Sequence, residues 1–95
     1  MTVNAVVSID NTSWTDLHAG ASIASGTALV CQLKSSIITA VLFVDATTEP
    51  TGTVDTAGGL ETNGAKDVIS TAPDAGEVTW ARTRVGGINI SVQDT

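Results

Sequence analysis

Apolar and polar residues alternate with a period of two at both ends of the chain. The alternating apolar positions are Val3, Ala5, Val7 and Ile9 near the start, and Ile88, Ile90 and Val92 near the end. A β-strand points successive side chains to opposite faces, so each of these two groups would share one face of a strand. The pattern therefore predicts a strand at each end of the chain, each with one buried face.

The middle of the chain contains two further apolar runs, separated by two serines. In the first run Leu29, Cys31 and Leu33 share one face, whereas the second run, residues 37–44, is apolar on both faces. Two β-prone runs so close together predict a hairpin. A strand that is apolar on both faces must be buried by other residues on both faces, and it would be prone to aggregate if one face were exposed to solvent. We expect this cover to come either from the same chain or from a neighbouring subunit.

The C-terminal half carries two more strand patterns, at residues 66–71 and 77–85, with a turn at residues 73–76 between them. The pair Gly86-Gly87 then predicts a two-residue hairpin turn into the last strand. In total the chain shows six or seven short strand patterns separated by turn signals. We therefore predict an all-β fold, a small antiparallel β-sandwich or barrel.

The N-terminal segment, residues 1–26, is less regular after its first strand. Trp14 and Leu17 have helix-like spacing, and either Asn11 or Ser13 could supply the N-cap of a short helical turn. The spacing does not decide whether this segment forms a helical turn or an irregular stretch.

A second irregular segment, residues 45–64, is acidic and contains Pro50 and several glycines. Loops of this length are uncommon in compact domains and are often functional or mobile. We predict a long loop here, interrupted by a short strand near residues 53–54 or 60–61.

The composition narrows the class of protein. The chain has 95 residues, 42% of them hydrophobic and 15% charged, which fits a single domain over residues 1–95. Ten acidic against four basic residues give a net charge of −6, which disfavours binding to nucleic acid or to an anionic membrane. No apolar run approaches the roughly 20 residues of a membrane helix, and no secretory signal is visible. We expect a soluble protein made in a reducing cytoplasm.

The candidate chemical groups are few. His18 lies two residues after Asp16, but one such pair does not define a catalytic triad, and we expect a surface or packing histidine. Cys31 falls on a predicted core face and has no cysteine partner. Four acids of the long loop lack the spacing of a calcium-binding loop. They are Asp45, Glu49, Asp55 and Glu61. We predict no catalytic residue, no metal site, no cofactor and no enzymatic activity.

The most suggestive surface candidates lie on the strand at residues 77–85. Trp80, Arg82 and Arg84 would share one of its faces, and Trp and Arg are the residue types that dominate interface hot spots. Ile38 and Leu42, on the second face of the apolar run, are further candidates. We predict that these five residues form a docking face for a second subunit or an acidic partner. The alternative is that the tryptophan caps the end of a barrel and that the two arginines beside it are solvated.

Between Thr27 and Val92 the order of features resembles small virion proteins of tailed bacteriophages, of the head-decoration, cement or short-fibre type. The segments that carry the resemblance are TALVCQ at 27–32, VLFV at 41–44, EPTG at 49–52, VTWAR at 78–82 and the GGI that follows at 86–88. The resemblance implies a small, oligomeric β-fold that assembles onto a capsid or tail without catalysis. It carries over no functional residue beyond Trp80 and Arg82, as contacts.

Two functions follow as hypotheses. The first is a structural protein of a phage particle that decorates or cements the capsid as a homo-oligomer. It would be found in the virion after assembly in the host cytoplasm. Its partners would be copies of itself, as a trimer, and the major capsid protein or another virion protein. The alternative is a receptor- or glycan-binding module of a head or tail fibre, with Trp14 beside Asp16 or Trp80 beside Arg82 as the stacking platform.

Overall fold

The structure, a computed structural model, describes residues 3–34, 40–54, 56–62 and 66–94. The elements are β1 (Asn4–Ile9), β2 (Thr15–Asp16), α1 (Leu17–Ala21), β3 (Leu29–Leu33), β4 (Val41–Ala46), β5 (Leu60–Thr62), β6 (Val68–Thr71), β7 (Val78–Thr83) and β8 (Ile88–Asp94). They form two four-stranded sheets, a first sheet in the order β1-β8-β3-β6 and a second in the order β2-β7-β4-β5. All neighbouring strands are antiparallel. The predicted all-β class is confirmed, with eight strands among these residues instead of six or seven.

The main core lies between the two sheets and follows the predicted alternation. Its members include Ile9, Leu29, Cys31, Leu33, Val41, Phe43, Ile88, Ile90 and Val92. The first sheet supplies its interior face from β1, β3, β6 and β8, and the second sheet supplies Val41 and Phe43 from β4. Burial of these apolar side chains is the main favourable contribution to folding.

Both predicted hairpins are wrong, because the chain changes sheet at each site. β3 belongs to the first sheet and β4 to the second, while β7 belongs to the second and β8 to the first. β8 instead lies between β1 and β3, and Gly86-Gly87 spans the crossover, with Gly87 at φ 75°. A period of two identifies the buried face of a strand but carries no information on which strand is its neighbour.

The ambiguous N-terminal segment forms the short helix α1. Its N-cap is Asp16, whose carboxylate accepts a hydrogen bond from the backbone N–H of Ala19 at 3.0 Å, so the proposed caps Asn11 and Ser13 are wrong. The helix ends at Ser22, which adopts a left-handed conformation with φ 58°. α1 packs on β1 and β7 and places Leu17 and Ala21 in the main core.

The long acidic segment is shorter in the structure than the sequence suggests. Its first two residues, 45–46, complete β4, and residues 60–62 form β5, which confirms one of the two predicted strand positions. The other position forms a turn, in which the N–H of Ala57 donates to the carbonyl of Thr53 at 2.9 Å. We call the described residues between β4 and β5, residues 47–54 and 56–59, the cover loop.

We predict that Gly59→Ala lowers stability, whereas Gly58→Ala is close to neutral. A Cβ at Gly59 would lie 2.6 Å from the backbone carbonyl oxygen of Phe43, while a Cβ at Gly58 would have nothing within 4 Å. The backbone of β4 cannot yield as a flexible side chain would, so Gly59→Ala should cost about 1–3 kcal/mol of unfolding free energy. Urea denaturation of both variants measures the difference, and equal midpoints would contradict the close approach of β5 to β4.

Candidate functional site

A second, smaller apolar cluster lies on the outer face of the second sheet. It contains Trp14, Ala40, Leu42 and Val54, with Val44, Ala57 and Trp80 packed against it. Leu42 is only 2% exposed. β4, which contains the last four residues of the two-sided run, is therefore covered on its outer face by its own chain, through Trp14 and the cover loop.

This cluster changes the interpretation of one candidate interface residue, Leu42. Leu42 belongs to the interior beneath the cover loop, so its side chain is not part of the surface of the folded chain. Ile38 lies outside the described residues, and its predicted role stays a prediction.

Trp80 and Arg82 share the outer face of β7, as predicted. Thr79, Ala81 and Thr83 point inward and are buried, while the alternate residues are partly exposed. Arg84 lies one residue beyond the end of β7 and is exposed.

Arg82 and Trp14 together hold the cover loop against the second sheet. The Nη1 of Arg82 donates to the carbonyl oxygen of Gly52 at 3.0 Å, and the Nε1 of Trp14 donates to the same oxygen at 3.2 Å. The Nη2 of Arg82 donates to the carbonyl of Asn11 at 2.9 Å. We call Arg82 and Trp14 the loop clamp. The planar guanidinium group of Arg82 donates to two carbonyls and so ties two separate chain segments together.

The guanidinium of Arg82 also stacks on Trp14, and not on Trp80, which lies two residues before it on the same face of β7. Its Cζ lies 5.9 Å from the centre of the Trp14 ring, within the range of a cation–π contact. Trp80, its neighbour on the strand, instead donates from Nε1 to the carbonyl of Ala46 at 3.2 Å. The polar groups of the predicted docking face are thus used largely within the chain itself.

His18 is a buried structural residue. Its side chain is 1% exposed, and Nε2 donates to the carbonyl of Thr27 at 2.8 Å. The other ring nitrogen, Nδ1, accepts from the N–H of Thr79 at 3.0 Å. Both nitrogens are engaged with backbone groups, so of the two roles expected from the sequence, surface or packing, the structure shows the packing role.

Cys31 is buried in the main core, as its position on β3 predicts. Burial, and secondarily the negative charge of Asp45, raises the pKa of the Cys31 thiol to about 12. Since the thiolate is the nucleophilic form of cysteine, this thiol is poorly suited to covalent chemistry at neutral pH.

The three described acids of residues 45–64 do not form a metal-binding group. Among the described residues there is no group of three or more His, Cys, Asp or Glu side chains that could hold a metal ion. Asp45 points to the gap between the sheets, where it accepts a hydrogen bond from the hydroxyl of Thr79 at 2.7 Å. Glu49 and Glu61 are exposed, and Asp55 lies outside the described residues.

The outer face of the first sheet is a feature that sequence reasoning missed. Its outward-pointing residues carry no charge, and they form rows across the four strands. The residues are Asn4, Val6, Ser8, Val30, Gln32, Val68, Ser70, Asn89, Ser91 and Gln93. We call this surface the uncharged face.

Two valines on the uncharged face are open to solvent, Val6 with 58% and Val68 with 61% of the side chain exposed. They belong to one row, in which Val6 pairs with Ser91, Ser91 with Gln32, and Gln32 with Val68. The alternation in the sequence contained this signal, because every second residue of four strands is uncharged, but only the strand order brings these positions together.

Comparison with protein-family models, with curated proteins and with solved structures finds no match to the chain. Within the described part of the chain, no helix has the length and apolar character needed to cross a membrane.

We predict that Arg82→Met loosens the cover loop and lowers stability by about 1–3 kcal/mol, because two charge-assisted hydrogen bonds are lost. Arg82→Lys keeps the charge but cannot reach two carbonyls with one planar fork, so it should recover less than half of the loss. Urea denaturation measures the stability, and amide hydrogen exchange at Thr56 and Ala57 reports on the loop. A lysine variant as stable as the parent protein would show that charge alone matters here.

Proposed function

We propose that this chain is a non-enzymatic structural protein of a phage particle, which decorates or cements the capsid and associates with copies of itself. The observation that carries the proposal is the uncharged face of the first sheet. The resemblance of residues 27–92 to phage virion proteins supports the same reading.

Electrostatics favours this face as the contact between copies. The chain carries a net charge of −6, so two copies repel each other in general. Among the outward-pointing strand residues of the first sheet, however, there is neither an acid nor a base. A contact between these strand residues places no acidic or basic side chain of the four strands in the interface.

The row that contains both exposed valines is suited to a two-fold contact. Neighbouring strands lie about 4.8 Å apart, and Val6 and Val68 are separated by three such spacings. They are therefore roughly 14 Å apart, at opposite edges of the sheet. A two-fold axis parallel to the strands and midway between β8 and β3 would set Val6 of one copy over Val68 of the other, twice. Such an isologous contact uses one patch on both copies, whereas a closed trimer needs two different complementary patches. The face therefore supports a pair more directly than the trimer expected from the sequence.

The size of the face indicates that the pair is weak in solution. Four strands and about six residues per strand cover roughly 20 Å by 20 Å, or about 400 Å² per copy. A stable interface of standard size buries about 800 Å² per partner. A weak contact of this kind becomes effective when many copies are held on one particle, because neighbouring sites raise the local concentration.

The alternative glycan-binding function has less support from the geometry. Trp14 is buried, with 6% of its side chain exposed, and its Nε1 is bound to the cover loop. Trp80 is partly buried and its Nε1 is also engaged. A sugar-stacking platform needs an open ring face, and the clamp and loop contacts occupy the surroundings of both rings.

We predict that the chain associates weakly at high concentration and that Val6→Glu combined with Val68→Glu abolishes the association. Two carboxylates per copy on the uncharged face would repel those of the facing copy and would leave buried charges unpaired. Sedimentation velocity over a concentration series measures the effect. The purified protein should also bind to capsid particles in a gradient, and the double variant should bind less.

Val85→Glu is the matched control for each substitution, because Val85 is 39% exposed and lies outside both sheets. This variant adds one negative charge, the same as Val6→Glu or Val68→Glu alone, and should associate like the parent protein. Association that survives the double variant, or that Val85→Glu weakens equally, would contradict the role of the uncharged face. A protein that stays monomeric at every concentration and never binds capsids would contradict the proposed function.

A further inference from the structure

A cavity of about 340 Å³ opens between the two sheets, on the side where β5 and β6 form the sheet edges. Its described lining residues are Phe43, Val44, Asp45, Gly59, Leu60, Ser70, Thr71 and Ala72. One part of the wall is apolar, and Leu60 on its rim is 55% exposed. The other part is polar and contains a single charged side chain, Asp45.

The carboxylate of Asp45 is held in place from the interior. The hydroxyl of Thr79 lies 2.7 Å from Oδ1 of Asp45 and 3.0 Å from the hydroxyl of Thr71. Thr79 has one hydroxyl hydrogen, and the carboxylate can only accept, so Thr79 donates to Asp45 and Thr71 donates to Thr79. Thr79 is fully buried and Thr71 nearly so, which makes this chain of hydroxyls a rigid support.

The support leaves the carboxylate free to bind at the cavity. A carboxylate has about four lone-pair sites, and the bond from Thr79 uses one of them. Asp45 itself is exposed at the mouth of the cavity. A negative group in fixed orientation beside an apolar wall matches a cation on an aliphatic stem, since the stem can lie along apolar surface while its head remains at the polar end.

We propose that this cavity binds the side chain of a lysine or arginine residue from a protein partner. The ammonium or guanidinium group would contact Asp45, and the aliphatic stem would lie along Phe43 and Leu60. The net charge of −6 favours the approach of a basic segment. Leu60 on the rim is 55% exposed, so the protein surface around an inserted side chain would also cover it. The binding proposed here does not require the association of copies, although Ser70 of β6 belongs both to the cavity lining and to the uncharged face.

The first test is a titration of the ¹⁵N-labelled protein with n-butylammonium, followed by amide chemical shifts, with 1-butanol as the neutral analogue. Butylammonium should cause saturable shifts of the amides of Asp45, Thr71 and Ala72. Butanol should bind the parent protein at least tenfold more weakly. Butylammonium should also bind the Asp45→Asn variant at least tenfold more weakly than it binds the parent protein. The asparagine can still accept the bond from Thr79, so this variant should keep the parent spectrum elsewhere.

The matched control is Glu49→Gln, which removes the same charge from an exposed residue of the cover loop. It should bind butylammonium like the parent protein. Equal losses in Asp45→Asn and Glu49→Gln would show a general charge effect and would overturn the proposal, as would equal binding of butanol and butylammonium.

A second titration distinguishes the source of the cation. N-acetyl-lysine amide carries the side chain with its backbone blocked, whereas putrescine is a free diamine. Binding of the lysine derivative to the same amides supports the proposed protein partner. Binding of putrescine alone would assign the cavity to a free polyamine and would overturn the proposal.

Discussion

The requirement to cover β4 on both faces is the constraint on which the rest of the structure depends. On its inner side Val41 and Phe43 enter the main core between the sheets. On its outer side Leu42 and Val44 lie in the second cluster, beneath Trp14 and the cover loop. The loop is held there by the clamp, whose two donors meet at the carbonyl of Gly52. An exposed loop thus acts as a third layer, and the polar groups that hold it also protect an aggregation-prone strand.

This arrangement makes the two outer faces of the sandwich unequal. The second sheet is covered by its own chain, and its tryptophans and Arg82 are largely engaged inside the molecule. The first sheet has no such cover among the described residues, and its outward side chains are uncharged. The open, uncharged strand surface is therefore on the opposite side of the molecule from the strand face that carries the Trp and Arg residues.

The sequence predicted local features well because the period of two reports directly on burial. The inward faces of β1, β3 and β8 and the buried position of Cys31 followed from alternation alone. The sheet assignment could not be predicted in the same way, since the links from β3 to β4 and from β7 to β8 look like hairpins but cross between sheets. The pairing of Arg82 with Trp14 was also inaccessible, because the two residues are far apart in sequence and meet only through the order β2-β7.

The most direct test of this account is the environment of Trp14 in the dilute, monomeric protein. Nuclear Overhauser effects between the Trp14 ring and the methyl groups of Leu42 and Val54 report whether the chain covers β4 by itself. We expect these contacts at full strength at concentrations where no association is detectable, and independent of concentration. Their absence in the monomer, or their appearance only as copies associate, would show that a neighbouring subunit provides the cover and would contradict the account.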